Sequence, residues 1–312
     1  MRRPVVVRIL LGVGMLALVL VVAYGARHLV LSPTAVAAAP TPSSDTPAAQ
    51  VARPNTEPLE TAIRRRGTIT VAGIGSSVGN GAELPDAAAQ SPVGRLGQLL
   101  RSRYPDATVD VHNLSVDGST AFDGQTVYTT RVRPLHPTVL LIAFGMNDGQ
   151  TAQFNSGVTL PGSVAALRSI VASARADGTT VLVATTPSPD TDGNDFGLPK
   201  GLPVNYPTPG GALVPSAEDA VTTIDGEPFS TRHATWNAEA RKLVQEQRVT
   251  LIDAAEDWLE GVRRYGQDSL FNVAHGAADP GRFVHPNLRG HEVSYWAAES
   301  AFVRGLPAAP AG

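Results

Sequence analysis

The chain contains no cysteine, so disulfides, thiolate catalysis and thiolate-ligated zinc are all excluded. Export would also leave no thiol to mispair. No run of basic residues stands out beyond Arg64–Arg66, and the net charge is −3, which gives nucleic acid no electrostatic footprint. No HExxH or comparable ligand spacing occurs, so no metal site is expected. A dinucleotide loop is missing too: after Gly73-Ile74-Gly75 the last position of G-x-G-x-x-G falls on Val78. There is no internal repeat.

What remains is a globular composition, with 43% hydrophobic and 17% charged residues over 312 positions, enough for one large domain plus extensions. Arg2, Arg3 and Arg8 precede an uncharged run from Ile9 to Ala26. Basic-then-apolar is the pattern of an export signal or a retained anchor, and the run is about long enough to span a bilayer. Residues 1–31 are therefore expected to be a signal peptide or a hydrophobic anchor helix. A-x-A sites at Ala35–Ala37 and Ala37–Ala39 leave cleavage open. Either outcome places the remainder outside the cytoplasm. Residues 32–58 carry Pro33, Pro40, Pro42, Pro47, Pro54 and Pro58 and read as an extended linker. The folded domain is expected over 59–306, with 307–312 a flexible tail.

Inside that domain strands and helices alternate. Strands are expected at Ile69–Ile74, Thr108–His112, Thr138–Phe144, Thr180–Thr185 and Thr250–Ile252. The third, TVLLIAF, is apolar throughout, as a strand buried on both faces would be. Ser91-Pro92 starts a helix carrying Val93, Leu96 and Leu100 at helical spacing. Further helices are expected over Ser163–Ala176, Ser230–Gln247 and Leu288–Val303. This pattern predicts an α/β fold: a five-stranded parallel sheet in a flavodoxin-like three-layer α/β/α sandwich, order 2-1-3-4-5. Ligands of such sheets sit at the carboxyl ends of the strands, near the switch point beside the first.

Four of the five strands lead there into residues suited to hydrolytic chemistry. The first enters Gly75-Ser76-Ser77-Val78, and the second leads into Asn113–Thr120 with Gly118 inside it. The third enters Gly145-Met146-Asn147-Asp148, and the fifth leads across a long loop to Val284-His285-Pro286-Asn287. A serine in a Gly-rich turn past a strand can hold its hydroxyl out at the sheet edge. Gly75–Gly79 also fits the G-x-S-x-G elbow, but the fold that uses it needs several strands before the serine, and here only the N-terminal segment and linker precede it.

In this order the four groups resemble the SGNH, or GDSL, hydrolase family over most of Ile69–Val303. The resemblance implies Ser77 as nucleophile and His285 as general base. It implies an oxyanion hole from the backbone N–H groups of Ser77 and Gly118 and the side-chain amide of Asn147. No cofactor is implied. Two positions depart from the family pattern. Ser76 stands where an aspartate usually precedes the nucleophile. Arg282 stands three residues before the histidine, where the family usually has aspartate, and the nearest upstream aspartate is Asp279, six before. Either Asp279 orients His285 across a bulged loop, or a Ser–His dyad works with another orienter such as a backbone carbonyl.

Four other histidines are given structural places: His112 buried in the second strand, His233 on a helix surface, His275 in a loop and His291 in the terminal helix. The stretch Pro187–Pro228 is long for a connection and is expected to shape substrate choice, with Phe196 and Tyr206 as apolar contacts. The expected function is extracytoplasmic ester hydrolysis, as an esterase, lipase or carbohydrate deacetylase acting on a small-molecule or envelope lipid or glycan ester, with membrane contact through the N-terminal segment if it is uncleaved. The alternatives are acyl transfer to an envelope sugar or lipid, or a non-catalytic envelope binding protein on the same fold.

Overall fold

The computed structural model describes residues 55–149, 158–187, 206–207, 213–214, 222–224, 227–271 and 285–308. The N-terminal apolar run, most of the linker, Phe196, His275 and Asp279 lie outside them. Among the described residues no helix is long and apolar enough to cross a membrane.

Five strands form one sheet: β1 (Thr68–Gly75), β2 (Thr108–Asn113), β3 (Val139–Ala143), β4 (Thr180–Ala184) and β5 (Thr250–Ile252). Their spatial order is β2-β1-β3-β4-β5, and every pairing is parallel, as the alternating pattern predicts. The period-2 alternation of side chains divides the core in two. Ile69, Val71, Val139, Leu141, Leu182 and Ile252 pack on one face. There they meet α1 (Glu57–Arg64), α4 (Pro92–Arg103) and α10 (Tyr295–Gly305) through Leu59, Leu96, Leu100 and Tyr295. Ala72, Ile74, Leu140, Ile142, Val181 and Val183 pack on the other face. That side is covered by α5 (Ala121–Val127), α6 (Leu160–Ala176) and α7 (Phe229–Gln247) through Ala121, Ile170 and Trp236. The result is three layers.

Local chemistry explains the boundaries. The Ser91 side chain accepts from the Gly94 N–H at 3.3 Å and Pro92 sits in the first turn of α4. Thr159 caps α6 in the same way, and Gly178 leaves it with a left-handed φ of 80°. α1 begins two residues inside the segment expected to be linker, because Pro58 falls in a first helical turn, where its missing N–H costs nothing, and Leu59 and Ile63 bury against the sheet.

Several expectations need correction. The terminal helix is two helices, α9 (Leu288–Val293) and α10, broken at Ser294, whose hydroxyl donates to the Gly290 carbonyl at 2.6 Å. Among the described residues five helices escaped the pattern: α1, the four-residue α2 (Ser77–Asn80) and α3 (Ala87–Gln90), α5 and α8 (Ala254–Tyr265). His112 is half-buried on an edge strand and pairs with Asp110 at 2.8 Å instead of lying in the core. His233 is fully buried where a helix-surface place was expected, because α7 is packed over the sheet, and burial pushes its imidazole down to about 4. His291, expected on the terminal helix, lies in α9 and is fully buried. Within the long connection Tyr206–Pro207 pairs antiparallel with Leu213–Val214.

Leu140 lies fully buried in β3, the central strand of the sheet. Leu140→Ala is expected to lower stability by about 2–5 kcal/mol, read as a reduced midpoint in urea unfolding at unchanged slope.

Candidate active site

β1 ends at Gly75, and the chain turns at Ser76 into a four-residue helix, α2 (Ser77–Asn80). Gly75 pairs with Ala143 of β3, and a Cβ there would stand 2.5 Å from the Ala143 carbonyl oxygen. Only glycine allows so close an approach. The Ser77 side chain is left at the carboxyl edge of the sheet, nearly buried at 9% exposure.

The loop after β2 is fastened to this turn. The Val116 N–H and the Ser119 hydroxyl both donate to the Gly75 carbonyl, at 3.0 and 3.1 Å. The Asn80 amide donates to Asp117 at 2.9 Å, and that of Asn113 to the Gly79 carbonyl at 3.3 Å. Gly118 thus sits between two anchored residues, at a φ of 76° that favours glycine. The turn after β3 joins through Asn147, whose Nδ2 donates to the Ser119 carbonyl at 2.9 Å. Helix α7 and the segment after β4 clamp that turn: Trp236 Nε1 of α7 and the Thr186 hydroxyl donate to the Phe144 carbonyl, and Arg232 Nε of α7 donates to the Gly149 carbonyl at 2.7 Å. Trp236, Thr186 and Arg232 gave no sign of this role in the sequence, since each acts through backbone atoms of a distant segment.

His285 completes the group. Its Nε2 lies 2.9 Å from Ser77 Oγ across 208 positions of chain. Its Nδ1 lies 3.1 Å from Oε1 of Glu83. Asn287, two residues on, caps α9 and donates to the Ser269 and Phe271 carbonyls at 3.0 and 2.8 Å, which holds the histidine's loop in place. His291 is buried near His285, and burial, with the His285 charge adding to it, pushes its imidazole down to about 3. His291 is therefore neutral near pH 7.

The structure therefore brings together Ser77 and His285 directly, and ties the segments bearing Gly118 and Asn147 to the same turn. Asp279 and Phe196 lie outside the described residues, and of Tyr206 only the backbone strand is described. Glu83 was missed. Its signal was a carboxylate six residues after Ser77, at the end of the same Gly-rich turn. Its φ of 67° is left-handed, which costs a non-glycine residue about 1–2 kcal/mol. Among the described residues no cluster of histidine and acidic side chains could hold a metal ion.

Chemically, such a serine–imidazole pair can transfer a proton from hydroxyl to ring as the oxygen attacks a carbonyl carbon. A model of the GDSL-like lipase/acylhydrolase family matches residues 71–293. The chain belongs to that family. It is a serine ester hydrolase of the SGNH type. No curated protein sequence matches it. Among solved structures it is similar to the acetylxylan esterase Axe2 from Geobacillus stearothermophilus, with 17% identity and a TM-score of 0.51 over 76% of this chain and 93% of that one. It is also similar to LAE5, an alpha/beta hydrolase from the metagenome of Lake Arreo, Spain, with 18% identity and a TM-score of 0.53 over 77% and 97% of the two chains. Likeness at this identity speaks for the fold alone. Catalytic mutants of Axe2 replace a serine, a histidine and an aspartate three positions before that histidine.

Asp148, next to Asn147, is buried, and its Oδ1 accepts the Ala121 N–H at 2.8 Å. Burial pushes its carboxyl up to about 6. Between its ordinary value and 6 the folded state holds a proton that the unfolded chain has released, so stability falls as pH rises through that window. The stability of Asp148→Asn minus that of the wild type should therefore rise between pH 4 and 7, by up to about 3 kcal/mol. Urea melts of both proteins at the two pH values check this, and a constant difference would refute it.

Proposed function

We propose that the protein hydrolyses carboxylic esters through an acyl-enzyme on Ser77, with His285 as general base. The observation that carries the reading is the 2.9 Å contact between His285 Nε2 and Ser77 Oγ. His285 takes the hydroxyl proton as Oγ bonds to the ester carbonyl carbon. The resulting oxyanion is held by the backbone N–H groups of Ser77 and Gly118 and by the Asn147 amide, donors set in place before reaction. Collapse breaks the ester C–O bond, and His285 returns its proton to the leaving alkoxide. Water, losing a proton to the same imidazole, then attacks the acyl carbon; its bond to Ser77 Oγ breaks, His285 returns the proton to Oγ, and a carboxylic acid leaves.

For the substrate we propose small acyl esters on carbohydrate, as an O-deacetylase would cleave. The acetylxylan esterase among the similar structures supports this class. We also place the reaction outside the cytoplasm, on envelope glycans or lipids, supported by Arg2, Arg3 and Arg8 ahead of the apolar run Ile9–Ala26.

With p-nitrophenyl acetate as substrate, Ser77→Ala is expected to lower kcat by at least about 10⁴-fold. Asn147→Ala should lower it by about 10²–10³-fold with little change in KM, the pattern of a donor that acts on the transition state. Equal turnover by Ser77→Ala and the wild type would defeat the mechanism.

A further inference from the structure

We infer that Glu83 is the carboxylate that orients His285, taking the place of the aspartate that members of this family carry ahead of the histidine. The inference rests on the proposed roles of Ser77 and His285 and adds a positioning residue to them. The imidazole is held from both sides. Ser77 Oγ meets Nε2 at 2.9 Å, and Glu83 Oε1 meets Nδ1 at 3.1 Å. A carboxylate can only accept, so the Nδ1 proton points at Glu83 and the Nε2 lone pair at the Ser77 hydroxyl. That is the tautomer a general base needs. As His285 gains its second proton, the Glu83 charge stabilises the imidazolium.

Both partners of the ring come from one turn. The Ala82 N–H donates to the Ser77 carbonyl at 2.9 Å, and the Gly81 N–H donates to the Val78 carbonyl at 3.1 Å. On the far side of Glu83 the Leu84 N–H donates to the Gly81 carbonyl and its side chain is buried. These contacts hold Glu83 in its left-handed conformation, and a costly backbone fixed by its surroundings is common where a side chain must be aimed. The nucleophile and the carboxylate are thereby set at a constant separation, and the long-range segment has only to deliver the ring between them. The arrangement accounts for Arg282 standing at the position three before the histidine without loss of the third group. Glu83 also lines an open cavity of about 510 Å³ with Pro85, Asn287, Leu288, Arg289 and Glu292, so its carboxylate is reached by solvent, with 37% of its side chain exposed.

The test uses the full chain with p-nitrophenyl acetate, and Ser77→Ala as the baseline. Glu83→Gln keeps the shape and removes the charge. It is expected to lower kcat by roughly 10²–10⁴-fold, with KM within about threefold and an unchanged melting midpoint. Glu83→Asp restores a carboxylate on a residue that tolerates the left-handed region, and should regain at least about tenfold over Glu83→Gln. A kcat for Glu83→Gln within about threefold of the wild type overturns the inference, as do equal losses in the Gln and Asp variants. Loss of activity in Asp279→Ala alongside a normal Glu83→Gln assigns the role to Asp279 and overturns it as well. If Ser77→Ala keeps full turnover, it is the proposed function that fails, a result distinct from all of these.

Discussion

The site depends on how closely the first and third strands approach at their carboxyl ends. Gly75 presents no side chain to the Ala143 carbonyl oxygen, which lies where a Cβ would clash. Its own carbonyl accepts from Val116 and Ser119, so the loop after the second strand is tied to the same residue. Three strand ends are thus joined through one backbone position. Any side chain there would force β1 and β3 apart and loosen the turn that carries Ser77 along with the loop that carries Gly118. Interiors this tightly packed have no slack to absorb the change.

From that joint outward, support passes through backbone carbonyls more than through side-chain pairs. Asn147 is held by the Ser119 carbonyl, and the turn before it by donors from Trp236 and Thr186 to the Phe144 carbonyl. Such contacts aim donors without adding charge to the pocket. A preformed set of dipoles needs no rearrangement when negative charge appears on a substrate oxygen, which is the condition for electrostatic stabilisation to lower a barrier. Charge enters at the outer edge, where Glu83 meets His285 in partly solvated surroundings.

The strands were legible because each is a short apolar run between turn signals, and the observed order 2-1-3-4-5 is the simplest candidate among those that right-handed crossovers allow. Helices with a strong cap and a clear apolar stripe, α4 and α6, were legible too. α5 and α8 were not. α5 is only seven residues long, with a polar sequence, AFDGQTV, and is set by the Thr120–Asp123 capping box and by Asp148 accepting from Ala121. The break at Ser294 was hidden because a serine within an apolar helical pattern gives no sign of which carbonyl its hydroxyl will find. His233 and His112 were misplaced for one reason: burial belongs to a layer, and a residue's layer is settled by what packs over it.

The alternation of strands and helices, the glycines that permit the sharp turns, and the residue types able to do hydrolytic chemistry can all be read along the chain. These are local properties, set by backbone sterics, propensity and pattern. Which groups meet the imidazole is a matter of the packed fold. Ser77 and His285 are 208 positions apart, and the carboxylate at Nδ1 comes from the turn of the serine, not from the segment of the histidine. Distance along the chain carries no information about such a meeting, because it is the closing of the sheet and the packing of helices on both faces that bring the two ends of the domain to one edge.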